Sequence, residues 1–179
     1  MMRRNNYFLC LLVFSTITVH VFAQEAAKPR PSPLAVAAIR YKDAYVKITY
    51  SQPEKRGREV FGKLVPFNEV WRTGANEATE ITTTKNIQIN GTLLKAGTYS
   101  LFTIPQKDKW TIIINGEVGL WGAYNYNSKL DVMRFDVPVI SSDVVYESFT
   151  VQFNHRNEVA DLLLYWDKTK VSISIKFIN

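Results

Sequence analysis

Between Arg56 and Glu80 the chain reads RGREVFGKLVPFNEVWRTGANEATE, and the residue types that bind and polarise ligands are concentrated there. Arg56, Arg58 and Arg72 carry planar guanidinium forks that match carboxylates, phosphates and sulfates two hydrogen bonds at a time. Gly57, Gly62 and Gly74 let the backbone approach closely, so a rigid scaffold can present such groups from a loop. Trp71 offers a flat face to cover a ligand, and Asn76 and Glu77 add donors and acceptors. The segment reads as a pocket for a small anionic or polyhydroxyl ligand, with Arg58, Trp71, Arg72, Asn76 and Glu77 at its centre. The competing reading is structural: an internal Arg72–Glu77 ion pair pins a long loop, and Trp71 fills core.

A second cluster, Trp121-Gly122-Ala123-Tyr124-Asn125-Tyr126-Asn127, sets three aromatic rings within six residues. Trp121 and Tyr124 join the candidate ligand-binding set, because flat rings cover the apolar faces of sugars; the plainer alternative is a packed loop capping the fold. Asn125, Asn127 and Asp131 are hard oxygen donors. They lack the glycine and distal glutamate of an EF-hand loop, so no metal and no cofactor is assigned.

Catalytic equipment is thin. Beyond the leader described below, His155 is the only imidazole, in a turn-like Asn154-His155-Arg156-Asn157 run without a nucleophile elbow to serve. No residue is assigned as catalytic, and the residue types favour binding over catalysis. The enzymatic alternative is a hydrolase of an envelope glycan or ester, with Glu77 as general base and Arg72 stabilising negative charge. A structural or assembly role in the cell envelope is the third reading.

Upstream, Arg3 and Arg4 precede an apolar stretch from Tyr7 to about Phe14, and Val21-Phe22-Ala23 supplies a cleavage pattern before Gln24. Ser15, Thr16, Thr18 and His20 interrupt the run, which falls short of the roughly 20 apolar residues of a span. Residues 1–23 are therefore expected to be a cleaved signal peptide, giving a periplasmic or secreted protein with no stable membrane insertion after cleavage. Its removal takes two of the 22 Lys+Arg and none of the 16 acidic residues, lowering the net charge from +6 to +4. It also takes the sole cysteine, Cys10, which excludes disulfides, thiol nucleophiles and cysteine-based zinc sites from the remainder. The residual positive charge is dispersed, which gives no footprint for nucleic acid.

Positioning the candidate groups falls to strands. Pro29, Pro31 and Pro33 mark residues 24–33 as an exposed lead-in, and residues 34–179 read as one domain. Val46, Ile48 and Tyr50 alternate with polar neighbours, as do Phe149, Val151 and Phe153, and Val171, Ile173, Ile175 and Phe177. Asn90-Gly91 and Asn115-Gly116 are hairpin signals, and Asp167 to Lys170 reads as a turn. Pro138 inside Val132–Ile140 argues for an edge or a bulge. Val60, Phe61, Leu64 and Val65 suggest one short helical turn near 59–65. The expectation is an all-β, antiparallel β-sandwich, with a jelly roll as one arrangement of its strands.

The run GRxxFGxLVPxxxVWRTGANEAT, with the later AGTYSLFTIP, WGAY and LxLxWD segments, resembles the bacterial domain-of-unknown-function 2911 family from about Ser32 to Phe177. The resemblance implies an exported protein of a family with no settled activity, many of whose members come from Bacteroidetes-type bacteria. It transfers no catalytic residue.

Overall fold

The computed structural model describes residues 28–178, so the expected signal peptide and residues 24–27 lie outside the described residues. Ten strands follow in order: β1 (Leu34–Tyr41), β2 (Ala44–Ser51), β3 (Thr79–Thr83), β4 (Ile87–Ile89), β5 (Thr92–Leu94), β6 (Gly97–Pro105), β7 (Lys109–Asn115), β8 (Asp131–Pro138), β9 (Ile140–Arg156) and β10 (Val159–Phe177). A six-stranded sheet, β1-β2-β3-β6-β7-β8, faces a four-stranded one, β5-β4-β10-β9, with every pairing antiparallel. The fold is an all-β sandwich. Its order is a meander that sends β4 and β5 across to the second sheet, rather than a jelly roll.

Period-2 patterning explains the core. Val46, Ile48 and Tyr50 of β2, Ile112 and Ile114 of β7, Phe149 and Val151 of β9, and Val171, Ile173 and Ile175 of β10 are buried together between the sheets. On β10 the inward residues are even-numbered from Ala160 to Trp166 and odd-numbered from Val171 to Phe177. That change of parity comes from irregular pairing between Tyr165 and Thr169, where Asp167 sits at φ +53°. An inserted residue exchanges the faces of everything beyond it. The expected turn at Asp167–Lys170 is thus a bulge within one continuous strand.

Two other local expectations are corrected. Residues 59–65 form no helix: Val65 N–H bonds to Val60 O at 2.8 Å and Gly62 N–H to Val65 O at 2.8 Å, closing a non-helical loop around a Phe61–Val65 bridge. The short 3-10 turn among the described residues is Ser128–Leu130. Asn115-Gly116 does not make a tight hairpin either. Asn115 is fully buried, donates to Asn127 O and Asp131 Oδ1 at 2.9 Å each, and accepts from Glu117 N–H at 3.0 Å. Its side chain thereby ties down the long loop 116–130. Asn90-Gly91 does form the β4–β5 hairpin turn, with both residues at positive φ, as that turn requires. Pro138 ends β8, the edge of the larger sheet, where its missing N–H breaks no ladder.

The outer face of β6 and β7 is covered as well. Phe102 and Ile113 point away from the main core and, with Ala78, pack under Val70, Leu120, Ala123 and Tyr126. This satellite core lies beneath the two loops that carry the candidate residues, 52–78 and 116–130, and gives both a rigid floor.

Candidate functional site

The loop from Gln52 to Ala78 is built around Trp71. Ahead of the start of β3, Trp71 extends the pairing on β6: its N–H donates to Thr103 O at 2.7 Å, and Thr103 N–H donates back at 3.0 Å. The indole enters the core, 8% exposed, stacked on Trp166 at 5.8 Å and edge-on to Phe149, Trp110 and Phe61. Aromatic pairs of this kind contribute about 0.5–1.5 kcal/mol each beyond burial. Its Nε1–H is spent on Gly74 O at 3.0 Å. Most of Trp71 is core, and only its remaining edge is left to face a cleft.

The next residues form a tight polar turn whose sequence is dictated by geometry. Thr73 is fully buried at φ +55°, a conformation that β-branched residues rarely hold. Its hydroxyl bonds to Trp71 O at 3.3 Å and Thr103 Oγ1 at 3.1 Å, while Thr79 Oγ1 donates to Thr73 O at 2.6 Å. At Gly74 a Cβ would fall 2.9 Å from Ser51 O, so only glycine fits against β2. Asn76 also takes positive φ, and its carbonyl receives Gly122 N–H at 2.9 Å and Arg72 Nη1 at 3.1 Å. Most of Trp-Arg-Thr-Gly-Ala-Asn-Glu is thus needed to make the turn. The chain belongs to the family described as protein of unknown function (DUF2911). The family model matches residues 32–175 and so takes in every strand of the sandwich, stopping two residues before the end of β10. No curated protein and no solved structure matches the chain.

Within the DUF2911 turn, burying Trp71 sends Arg72 outward into a cleft of about 570 Å³. Arg58, Trp71, Arg72, Asn76 and Tyr124 all line it, together with Glu69, Ser32 and the edge of Trp166. Arg58 Nε and Nη2 donate to Lys55 O at 2.8 Å and Glu54 O at 2.7 Å, fixing the guanidinium. Arg72 spends one N–H on Asn76 O and sits over the ring of Tyr124 at 6.0 Å. None of the ion pairs among the described residues involves either arginine. Tyr124 is 79% exposed at the rim. It closes over Gly122, where a Cβ would meet its ring at 2.8 Å and Arg72 Nη1 at 3.1 Å.

Glu77 and Trp121 are not brought to this cleft. They bridge one another in antiparallel fashion, and Glu77 faces a separate cavity of about 230 Å³ with Leu34, Ser51 and Glu80. The Arg72–Glu77 pair of the structural reading does not form. Glu77 bonds instead to Arg30 at 2.7 Å and to Ser51 Oγ at 3.2 Å. Trp121 remains 56% exposed. Tyr126 turns inward, its hydroxyl on Asp131 Oδ2 at 2.7 Å, and burial first and that carboxylate second push its phenol up. Asp131 also accepts from Asn115 and Arg134, and Asn127 Oδ1 takes Lys129 N–H. His155 lies within β9 opposite Ala160 of β10, exposed and edge-on to Tyr41 at 5.7 Å.

Sequence reasoning missed Ser32, Glu69 and Trp166 on the cleft wall and Arg30 as the partner of Glu77. The described part of the lead-in is pinned across the sandwich end. Asn76 Nδ2 donates to Ser32 O at 3.2 Å, Arg56 Nη2 to Pro31 O at 3.1 Å, and Gln52 N–H to Pro33 O at 2.8 Å. No local sequence signal marks these contacts, which join residues far apart in the chain.

The hydrogen bond from Arg30, chiefly, then its own backbone N–H and Ser51, hold the Glu77 carboxyl below the usual carboxylate range against slight burial. A depressed folded-state value means the carboxylate is favoured by folding. Its contribution is present above the ordinary value of about 4.3 and disappears as pH falls through the lowered one. With both partners roughly half exposed, 57% and 43%, the pair contributes under about 1 kcal/mol. Urea melts of wild type and Glu77→Gln should differ by no more than that at pH 7, and the difference should shrink as pH is lowered below about 4.3. A difference that grows as pH falls through that range contradicts the assignment.

Proposed function

We propose that this chain is an exported, noncatalytic binding module whose Arg58/Arg72 cleft takes a small anionic ligand. One observation carries the reading. Two guanidinium groups line one cleft, each held by backbone carbonyls, and neither is neutralised by a carboxylate among the described residues. A carbonyl fixes a guanidinium in place without cancelling its charge, so the cleft keeps a positive potential and preset donors. The volume and the mixed apolar and polar lining are those of small-molecule sites. Less supports the hydrolase reading, because Glu77 is held by Arg30 and Ser51 and faces another cavity.

Thermal denaturation in the presence of phosphate, sulfate, small carboxylates and acidic sugars checks the assignment. At a hundred times its Kd a ligand should stabilise the fold by about 2.7 kcal/mol, which raises Tm by several degrees in a domain of this size. Arg58→Gln and Arg72→Gln should each cut the response to half or less while each variant still melts cooperatively. No response from any anion, or one unaltered in both variants, would overturn it.

Export rests on Arg3, Arg4, the apolar stretch after them and Val21-Phe22-Ala23. Intact-mass measurement of the protein recovered outside the inner membrane should give a chain beginning at Gln24. Recovery of a full-length cytosolic chain would contradict it.

A further inference from the structure

We infer that the ligand belongs to the carboxylated sugars, a hexuronic acid residue whose carboxylate meets Arg58 and whose ring lies against Tyr124; the inference rests on the anion-binding reading above. The charges of the cleft set the first limit. Its lining carries Arg58 and Arg72 against Glu69, a net charge of +1. A monoanion balances that charge. A phosphate monoester, at about −1.5 to −2 near neutral pH, would set surplus charge against Glu69.

Donor geometry sets the second limit. Arg58 has its Nε–Nη2 edge occupied by Lys55 O and Glu54 O. Of its five N–H groups, both on Nη1 and one on Nη2 remain, and these form the end-on fork that fits the two oxygens of one carboxylate. The carbonyls that occupy the other edge also orient this fork, so little side-chain freedom is lost when it binds.

The remaining lining matches a hydroxylated ring. Asn76 gives Nδ2 to Ser32 O, which leaves Oδ1 to accept from a hydroxyl. Glu69, outside every ion pair among the described residues, is a second acceptor for hydroxyls. Tyr124 has Arg72 over one ring face and stays largely open to solvent at the mouth. An aromatic face pairs with the C–H face of a pyranose, whereas a simple carboxylate such as acetate has none to offer.

Calorimetric and NMR titrations of the whole mature chain with glucuronate, galacturonate, glucose, glucose 6-phosphate, inorganic phosphate and acetate test the class. A uronate should bind saturably and more tightly than every other probe. Arg58→Gln should weaken it by about 10- to 100-fold, the range for losing hydrogen bonds to a charged group. Tyr124→Ala, a rim substitution, should weaken the uronate several-fold and leave acetate unchanged. Glu69→Gln should narrow the preference for the uronate over glucose 6-phosphate. Tighter binding of glucose 6-phosphate or phosphate that is lost in Arg58→Gln would overturn the sugar-acid class and leave the anion-binding reading standing. Equal binding of glucose would remove the carboxylate from the argument. Silence from every probe would end both.

Discussion

Trp71 and Arg72 are neighbours whose side chains go to opposite destinations, and the candidate site depends on that division. The Trp71 backbone is clamped to Thr103 by two hydrogen bonds, and its indole is locked among Phe61, Trp110, Phe149 and Trp166. With Trp71 fixed inward, Arg72 has to leave the core and line the cleft. The strained Thr73, the close contact of Gly74 with Ser51 O and the left-handed Asn76 follow from turning the chain sharply behind that anchor. Strain of this kind costs on the order of 1–3 kcal/mol and persists only where surrounding structure compels it. Here the surroundings are the two threonine hydroxyls and the satellite core beneath.

The same division separates what in the motif is architectural from what is available for function. Trp71, Thr73 and Gly74 are consumed in folding, and Glu77 in holding the lead-in through Arg30. Arg72 and the Asn76 side chain reach the cleft and are joined by Arg58, Glu69 and Tyr124. Structural bonding and access to the cleft are therefore shared out within one segment. The division runs residue by residue.

Much of this was legible in the chain. Period-2 alternation located β2, β9 and the last half of β10, because one side of each strand is buried and the other is not. The first strand escaped notice because Leu34 and Val36 point outward, which blurs its alternation. Residue types alone suggested a turn at Asp167–Lys170, and a bulge is indistinguishable from a turn until its pairing is known. Asn115-Gly116 misled for a similar reason. Asparagine serves a hairpin tip well, but it also satisfies several backbone groups when buried. At the site, the arginines and Tyr124 were found from their chemistry. The diversion of Glu77 to the other cavity was not, since it is set by contacts with Arg30 and Ser51, distant in sequence.

The claim on which the functional account stands is that Arg58 and Arg72 keep unneutralised guanidinium groups open to the cleft. Side-chain ¹⁵N NMR resolves this directly by following their Nε–H signals while sodium acetate replaces sodium chloride at constant ionic strength. Both signals should move along one saturable curve, whereas that of Arg156, already beside Asp161, stays in place. Signals from Arg58 and Arg72 that are indifferent to the anion, or that move only when Glu69 is changed to Gln, would show that the two charges are already satisfied within the protein.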